Sequence, residues 1–415
     1  MKKIITSAIV LFSLNSAIAG DLKAPFAFPT ARVLPKGVRN LSTKGLLATA
    51  TEKFDGSGKV VSLGNPLNSP ITFQRVMDSK RDAWEKSAIQ NVMNYLGKSP
   101  EDTFGEATGN VNVVATARIP VFAIGLTKKL TVALATPIIK SDMKVALGVV
   151  QKNEKLHRDM INALNASGAT SKVTELTSKL SAPVAEKLSE YGYEQLQNAQ
   201  KDELGDIKIV AKYNFVNNEK FLATGQFDVT APTGKDQDVN RIVDVASGDD
   251  QTDVGVGVFV DYMLSPEITL SGSLGYTSQL ADSNPERIPE VSYSKATPDI
   301  DYNTSRDLGD MTNLQLAGTW NYKGFNLGAG YSYQTKGKDS YSGNDFSSER
   351  YGWLEQDTKQ KMESVQLTAG LDTIYLFKKK AFPAPLRVMV SYTNVLSGEN
   401  VVKDPLYSLD FNLFF

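Results

Sequence analysis

The clearest pattern in the chain is the alternation of apolar and polar residues at its C-terminal end. Because successive side chains of a strand point to opposite faces, alternation predicts a strand with one apolar and one polar face. Phe414 alone departs from the pattern. The apolar positions are Tyr407, Leu409, Phe411, Leu413 and Phe415, and the polar positions between them are Ser408, Asp410 and Asn412.

The same alternation recurs in successive hairpins from Ile207 onward, for example through Val254–Tyr262 and Ile268–Tyr276. Further candidate strands lie at 37–51, 111–121 and from 130. The pattern gives about twelve strands, an even number as bacterial membrane barrels require. Their lengths suit the roughly 9–11 residues with which a tilted strand crosses a membrane.

The connections between these strands alternate between short turns and long loops. Counted back from the C-terminus, the short turns fall at one end and the long loops at the other, which is typical of transmembrane barrels. Aromatic residues form one band near the short turns, with Trp320 and Tyr322, and another near the long loops, with Tyr331 and Tyr407. Two aromatic bands indicate two membrane interfaces. A soluble sandwich has no reason to sort its loops in this way.

The predicted fold is therefore all-β: a transmembrane antiparallel up-and-down β-barrel with helical insertions in its extracellular loops. Its terminal strand, ending at Phe415, resembles the closing strand of bacterial outer-membrane barrels. That resemblance implies an outer-membrane location, contact with membrane lipids and lipopolysaccharide, and recognition of the strand by the barrel-assembly machinery.

The N-terminal residues have the organisation of a secretory signal. Lys2 and Lys3 precede the apolar run Ile4–Leu14, and Ala17–Ala19 forms a small-x-small cleavage site. Residues 1–19 are thus predicted to be removed. Residues 20–36 contain three prolines and show no period, and they are expected to form either a periplasmic tether or a short plug. The barrel is expected to span 37–415.

In two segments, the apolar residues recur with the period of an α-helix. Residues 79–96 place Trp84, Ile89 and Met93 near one face and end before Gly97. Residues 151–202 repeat apolar residues at intervals of three or four, as at Leu156 and Met160. Both segments are predicted to be helical insertions at the outer mouth of the barrel.

Composition excludes several classes of function. The 45 basic and 46 acidic residues balance, so no nucleic-acid partner is expected, and the absence of cysteine excludes disulfides. The single histidine, His157, lies in the charged helical insertion and is expected to be a solvated surface residue. No cluster has metal-ligand spacing, and the Asp-rich stretch 248–253 is expected to be a solvated loop. We therefore predict no enzyme activity, cofactor or metal.

Charged residues recur on the predicted inward faces of the strands. Charges in an interior are costly unless they are hydrated or paired. They indicate either a polar constriction that orients a passing solute or ion pairs that only hold the barrel in shape, and the sequence leaves both open. The predicted inward charges are Arg118, Lys208, Lys212, Asp228, Asp261, Asp372, Arg387 and Asp410.

Four stretches of the second half carry a family resemblance: Gly205–Tyr213, Thr230–Gly234, Thr252–Gly257 and Val260–Pro266. They resemble the exported barrels named after a MetA pathway of phenol degradation, which are similar in turn to long-chain fatty-acid and aromatic-hydrocarbon uptake barrels. The resemblance implies passive uptake of a hydrophobic small molecule. The chain has fewer predicted strands than the fatty-acid transporters and lacks their Asn-Pro-Ala hatch motif, so a hatch mechanism is not carried over.

Two functions therefore remain as hypotheses. The first is an outer-membrane channel that passively admits small solutes, hydrophobic or aromatic ones among them, through a narrow polar-lined lumen. The alternative is a non-transporting barrel that anchors an extracellular helical domain for adhesion or partner binding.

Overall fold

The computed structural model describes residues 22, 27–65, 69–78, 83–150, 155, 158–159, 162, 188–195, 198–292 and 296–415. His157 and most of the predicted insertion at 151–202 lie outside this part of the chain. The helices are α1 (Phe73–Asp78), α2 (Ala83–Leu96), α3 (Ser348–Leu354) and α4 (Ile374–Lys378). Within the described ranges, no helix is long and apolar enough to span a membrane.

Strands make up most of the described structure. In chain order they are β1 (Arg39–Ala50), β2 (Glu52–Phe54), β3 (Val60–Ser62), β4 (Ser69–Thr72), β5 (Thr103–Gly125), β6 (Leu130–Ala135), β7 (Ile138–Val150), β8 (Ala199–Leu204), β9 (Ile207–Asn217), β10 (Phe221–Ala231), β11 (Asp253–Met263), β12 (Ile268–Gln279), β13 (Asp282–Arg287), β14 (Ile300–Asp307), β15 (Met311–Tyr322), β16 (Phe325–Lys336), β17 (Ser340–Ser342), β18 (Gln360–Asp372), β19 (Leu386–Glu399) and β20 (Leu406–Phe414).

Antiparallel pairing closes the main sheet into a barrel of twelve strands, as predicted. The closing contact joins the two ends of the barrel sequence: β1 pairs with β20 on one side and with β5 on the other. The amide groups of Arg39 and Phe415 exchange both hydrogen bonds, at 2.7 and 2.9 Å. Closure pairs the two end strands of the barrel with each other, which satisfies their backbone groups as a lipid environment requires.

Two barrel strands are interrupted. One consists of β6 and β7, which flank Pro137, and its neighbour consists of β8 and β9, which flank Gly205. Proline has no backbone N–H to donate across the sheet, so the ladder breaks there. The Gly205 amide instead donates to the carbonyl oxygen of Pro137 at 2.9 Å, which holds the two interruptions side by side.

Several connections differ from the sequence prediction. Residues 199–202, expected to be helical, belong to β8 and pair with β7. The loops predicted around 279–310 and before 361 contain β13, β14 and β17, which form a separate three-stranded sheet, and α3. The strict alternation of long and short connections is wrong at the last two: residues 373–385, which include α4, are a longer connection than 400–405. The Thr373 hydroxyl donates to Ala384 at 2.6 Å and ties the ends of that longer connection together.

The described part of the first predicted insertion is helical. Helix α2 ends at Leu96, and Gly97 follows with a φ of +62°, a conformation that glycine adopts without strain. The Lys98 amide donates to the carbonyl of Met93 at 2.9 Å, which satisfies one of the last carbonyls of the helix.

An apolar core fills the lumen near the long loops. It joins the inward face of β5, including Val113 and Ala115, to Leu46 of β1 and to Ile242 and Val245 of the loop between β10 and β11. The predicted inward position of Arg118 implied that the alternating apolar set from Val111 to Val121 faces lipid, and this core shows the opposite arrangement. That loop supplies the apolar partners that bury these side chains inside the barrel, and each fully buried aliphatic side chain contributes about 1.5–3 kcal/mol.

Buried Arg306 on β14 connects the outer loops. Its Nε and Nη2 atoms each donate to the Asp282 carboxylate at 2.8 Å, and it also forms an ion pair with Asp236. The arginine side chain is 4% exposed. A planar guanidinium that bonds two carboxylates at once fixes their positions relative to each other, so Arg306 joins the β10–β11 loop to the external sheet.

We expect Arg306→Gln to loosen these outer loops, because the change removes a buried cation from two partly buried carboxylates, and breaking a buried ion pair costs about 3–5 kcal/mol. Limited trypsin digestion of the purified barrel should then cut within 232–310 at a lower protease concentration than in the wild type. Lys403→Gln is the control, because Lys403 bonds Glu52 at 2.7 Å and both side chains are at least 40% exposed, and exposed pairs contribute only about 0–1 kcal/mol. Equal digestion of both variants would contradict this role.

We also expect the Ser42→Cys and Asn412→Cys double variant to form a disulfide, because β1 and β20 pair in the register that closes the barrel. These positions are directly opposite across β1 and β20, and they form a non-hydrogen-bonded pair, in which side chains approach closely. Because the chain has no natural cysteine, peptide mass spectrometry should find one linked pair. Ser42→Cys with Phe414→Cys is the off-register control, and preferential linking of that pair would show a different closure.

Candidate functional site

A cavity of about 430 Å³ lies inside the barrel and defines the candidate site. Inward-facing residues of many strands line it, together with Ala27–Thr30 of the segment that precedes β1. Its lining combines lysines with aromatic side chains, among them Lys44, Lys208, Lys212, Phe28 and Phe259. Concave sites with a mostly apolar lining and a few polar groups are the usual form of small-molecule sites.

The strand registers place seven of the eight predicted charges on the inward face of the barrel. Lys208 and Asp228 form an ion pair at 2.5 Å, and each side chain is 4% exposed. Lys208 also lines the cavity. Burial of both charges requires that they stay paired, because removal of one partner would leave the other charge without compensation.

Lys212 and Asp261 lie deeper toward the short turns. The Lys212 ammonium donates to the carbonyl oxygen of Thr30 at 3.1 Å and lies 3.9 Å from the centre of the Phe259 ring. Asp261 accepts hydrogen bonds from Ser271 at 2.8 Å and from the Thr30 hydroxyl at 3.1 Å. Both predicted residues thus contact the N-terminal segment.

The remaining inward charges form two separate pairs. Asp410 lies 3.5 Å from the ammonium of Lys44, which the sequence reading did not select because the two faces of β1 were ambiguous. Asp372 and Arg387 lie 3.9 Å apart at the short-turn end, where Asn326 also donates to Asp372 at 3.1 Å. The predicted charges are therefore distributed along the lumen and do not form a single ring.

The predicted inward position of Arg118 is wrong. Its register partner on β1 is Gly45, which is also opposite outward-facing Leu409, whereas neighbouring Ile119 is opposite inward-facing Lys44. Residues directly opposite each other share a face of the sheet. Arg118 accordingly points outward and is exposed, because the apolar set of β5 occupies the interior.

The described part of the N-terminal segment runs through the lumen. The Leu22 amide donates to Gln360 at 2.7 Å near the long loops, and the Leu34 amide donates to Thr131 at 2.7 Å near the short turns. Between them, the Phe28 ring lies against Gly328 and Gly330 of β16. At Gly330 an added Cβ would be 2.9 Å from the Phe28 ring, so the missing side chains make room for it.

Phe28 and Phe259 are lining residues that sequence reasoning missed. Phe28 falls in a segment without a period, and Phe259 falls among the small residues of the inward face of β11. The one available signal was the pair Gly328 and Gly330 on the inward face of β16, which leaves space for a large side chain from elsewhere.

The Asp-rich stretch 248–253 is not the solvated loop that was predicted. Asp249, Gln251 and Asp253 are buried, with at most 4% exposure. Burial raises the pKa of the Asp249 carboxyl well above its ordinary value, and the nearby charges of Asp253 and Asp206 raise it further. No group of three or more His, Cys, Asp or Glu side chains able to hold a metal ion occurs among the residues with described positions.

Comparison with known proteins identifies similar barrels. A family model described as "Putative MetA-pathway of phenol degradation" matches residues 140–380. The COG4313 outer membrane channel from Pseudomonas putida F1 is 13% identical, with a TM-score of 0.51 over 97% of this chain and 100% of that one. The P. putida toluene transporter TodX is 9% identical, with a TM-score of 0.33 over 92% and 89% of the two chains. No curated protein sequence matches significantly.

Replacing Gly328 tests the packing of the Phe28 ring against β16. Gly328→Val would place a side chain where the Phe28 ring lies, so the N-terminal segment should be displaced. In a Thr30→Cys background, maleimide should then label the thiol several times faster than without the valine. Gly318→Val is the matched control, because a Cβ there meets only Leu270 at an ordinary 3.7 Å. An unchanged labelling rate in Gly328→Val would refute the contact.

Proposed function

The chain belongs to the MetA-pathway phenol-degradation family of barrels, and from this premise we propose that it is an outer-membrane channel for the passive entry of small solutes, including apolar or aromatic ones. The observation that carries the proposal is the lumen. It contains a cavity large enough for a one-ring molecule, lined by charged and aromatic side chains inside a closed barrel.

In the proposed resting state, the N-terminal segment acts as a plug. Its contacts with β6, β11, β16 and β18 support this role, since they extend from one end of the lumen to the other. Those to β6 and β18 are single hydrogen bonds between neutral groups, which contribute only about 0.5–1.5 kcal/mol each. Such a segment can be displaced without unfolding the barrel, whose strands pair with one another and not with the segment.

One observation favours the alternative of a surface anchor. The external sheet of β13, β14 and β17 has a small apolar core of its own, formed by Ile288, Tyr351 and Leu354. A folded element outside the barrel wall is a suitable base for partner binding. The cavity in the lumen has no use in a pure anchor, so the channel remains the leading proposal, and catalysis has no support from the described side chains.

Removing residues 20–36 while keeping the signal segment tests the channel and its plug. In planar lipid bilayers, we expect the wild type to show a small conductance and the shortened protein a larger one, because the cross-section occupied by the segment becomes available. Swelling of proteoliposomes in small aromatic alcohols should increase in parallel. Thr30→Ala, which keeps the segment, is the control and should stay close to the wild type. A shortened barrel that folds yet neither conducts nor admits solute would favour the anchor.

A further inference from the structure

We propose that the lumen selects small apolar monocarboxylates, with Lys212 as the residue that binds the carboxylate. This inference rests on the proposed channel function and names its substrate class. Three features carry it: the partners of Lys212, the charge balance of the cavity lining, and the apolar surfaces that face the same space.

Lys212 has an ammonium group whose described partners are all uncharged. It donates to the carbonyl oxygen of Thr30 and lies over the Phe259 ring, and no described carboxylate lies within ion-pair distance. The nearby acid, Asp261, is already bonded by Ser271 and Thr30 and lies 4.0 Å from the Arg32 guanidinium. A partly buried cation without an anionic partner is costly, so this position favours an anion from solution.

The charged side chains that line the cavity are mostly positive, which also favours an anion. Among the described residues, the charged side chains that line the cavity are three lysines, Lys44, Lys208 and Lys212, and one acid, Asp253. The Lys208 ammonium is neutralised by Asp228 at 2.5 Å, and Lys44 is paired with Asp410 at 3.5 Å. Lys212 therefore remains as a positive charge with only uncharged direct partners in a narrow lumen, where low-dielectric walls strengthen its field.

The rest of the cavity lining can contact the apolar part of such a ligand. Phe28 and Phe259 present rings to the cavity, and Val121, Val210 and Met311 add aliphatic surface. A volume of about 430 Å³ holds a molecule with one ring and its carboxylate and leaves room for water. The apolar lining distinguishes such a molecule from inorganic anions, which gain nothing from these surfaces.

The N-terminal segment would respond to such a ligand. The Thr30 carbonyl that contacts Lys212 is a neutral acceptor, whereas a carboxylate would add the attraction of an opposite charge to the hydrogen bond with the ammonium. A bound carboxylate would therefore replace Thr30 on Lys212 and remove one of the contacts that hold the segment in the lumen.

Isothermal titration of the detergent-solubilised protein with benzoate, and with benzyl alcohol as its uncharged counterpart, tests the proposal. Benzoate should bind more tightly, and salt should weaken its binding. Lys212→Gln should weaken benzoate binding by about 10- to 100-fold, as expected for a hydrogen bond to a charged group, and leave benzyl alcohol unchanged. Lys212→Arg should retain the preference for benzoate. Lys378→Gln, at an exposed lysine of α4 outside the lumen, is the control.

The outcomes separate this proposal from the channel function. Equal binding of benzoate and benzyl alcohol, or benzoate binding that is unaffected in folded Lys212→Gln, would overturn the selection of carboxylates and leave the conductance result intact. Preferential benzoate binding by a barrel that does not conduct would support the Lys212 site and remove the channel function. A difference in electrophoretic migration between heated and unheated samples verifies that each variant is folded. The Lys212→Arg variant verifies that the positive charge is responsible for the binding.

Discussion

Closure of the sheet is the constraint on which the rest of this structure depends. In lipid, every backbone amide and carbonyl must find a partner within the protein, and the pairing of β1 with β20 provides the last of those bonds. Closure also fixes the inward face of each strand, because directly opposite residues share a face all the way around. Where the ladder breaks, at Pro137 and Gly205, the two breaks lie next to each other and bond across. The barrel thus keeps its continuity even where its strands are interrupted.

The interior formed by closure has two different zones. Near the long loops, apolar side chains of β5 and of the β10–β11 loop form a buried core, with Ile242 and Val245 packed into the lumen. Below it, the N-terminal segment occupies a polar space in which acids and lysines are paired, such as Lys208 with Asp228. Pairing is required there because isolated charges are costly away from bulk water. Lys212 is the informative exception, since a neutral carbonyl and an aromatic ring take the place of a carboxylate.

Much of the fold could be predicted from the sequence, whereas the site could be predicted only in part. The faces of the barrel strands from β9 onward follow from local alternation, which is why Asp228, Asp261 and Asp410 were assigned to the interior. The same rule misplaced Arg118, because alternation distinguishes two faces but does not say whether the apolar face meets lipid or an apolar core. Residues 199–202 were assigned to a helix because their pairing with β7 is a long-range contact that leaves no local period.

The sequence by itself determined that the chain is a membrane-type barrel of about twelve strands, because strand period and turn chemistry are local properties that need no knowledge of distant contacts. Only the tertiary structure decided what fills the barrel. The path of Ala27–Lys36 through the lumen, the packing of Phe28 on Gly328 and Gly330 and the position of Lys44 beside Asp410 all join residues far apart in the chain. Such contacts are set by closure and by which surfaces remain to be buried, and neither can be read from any single stretch.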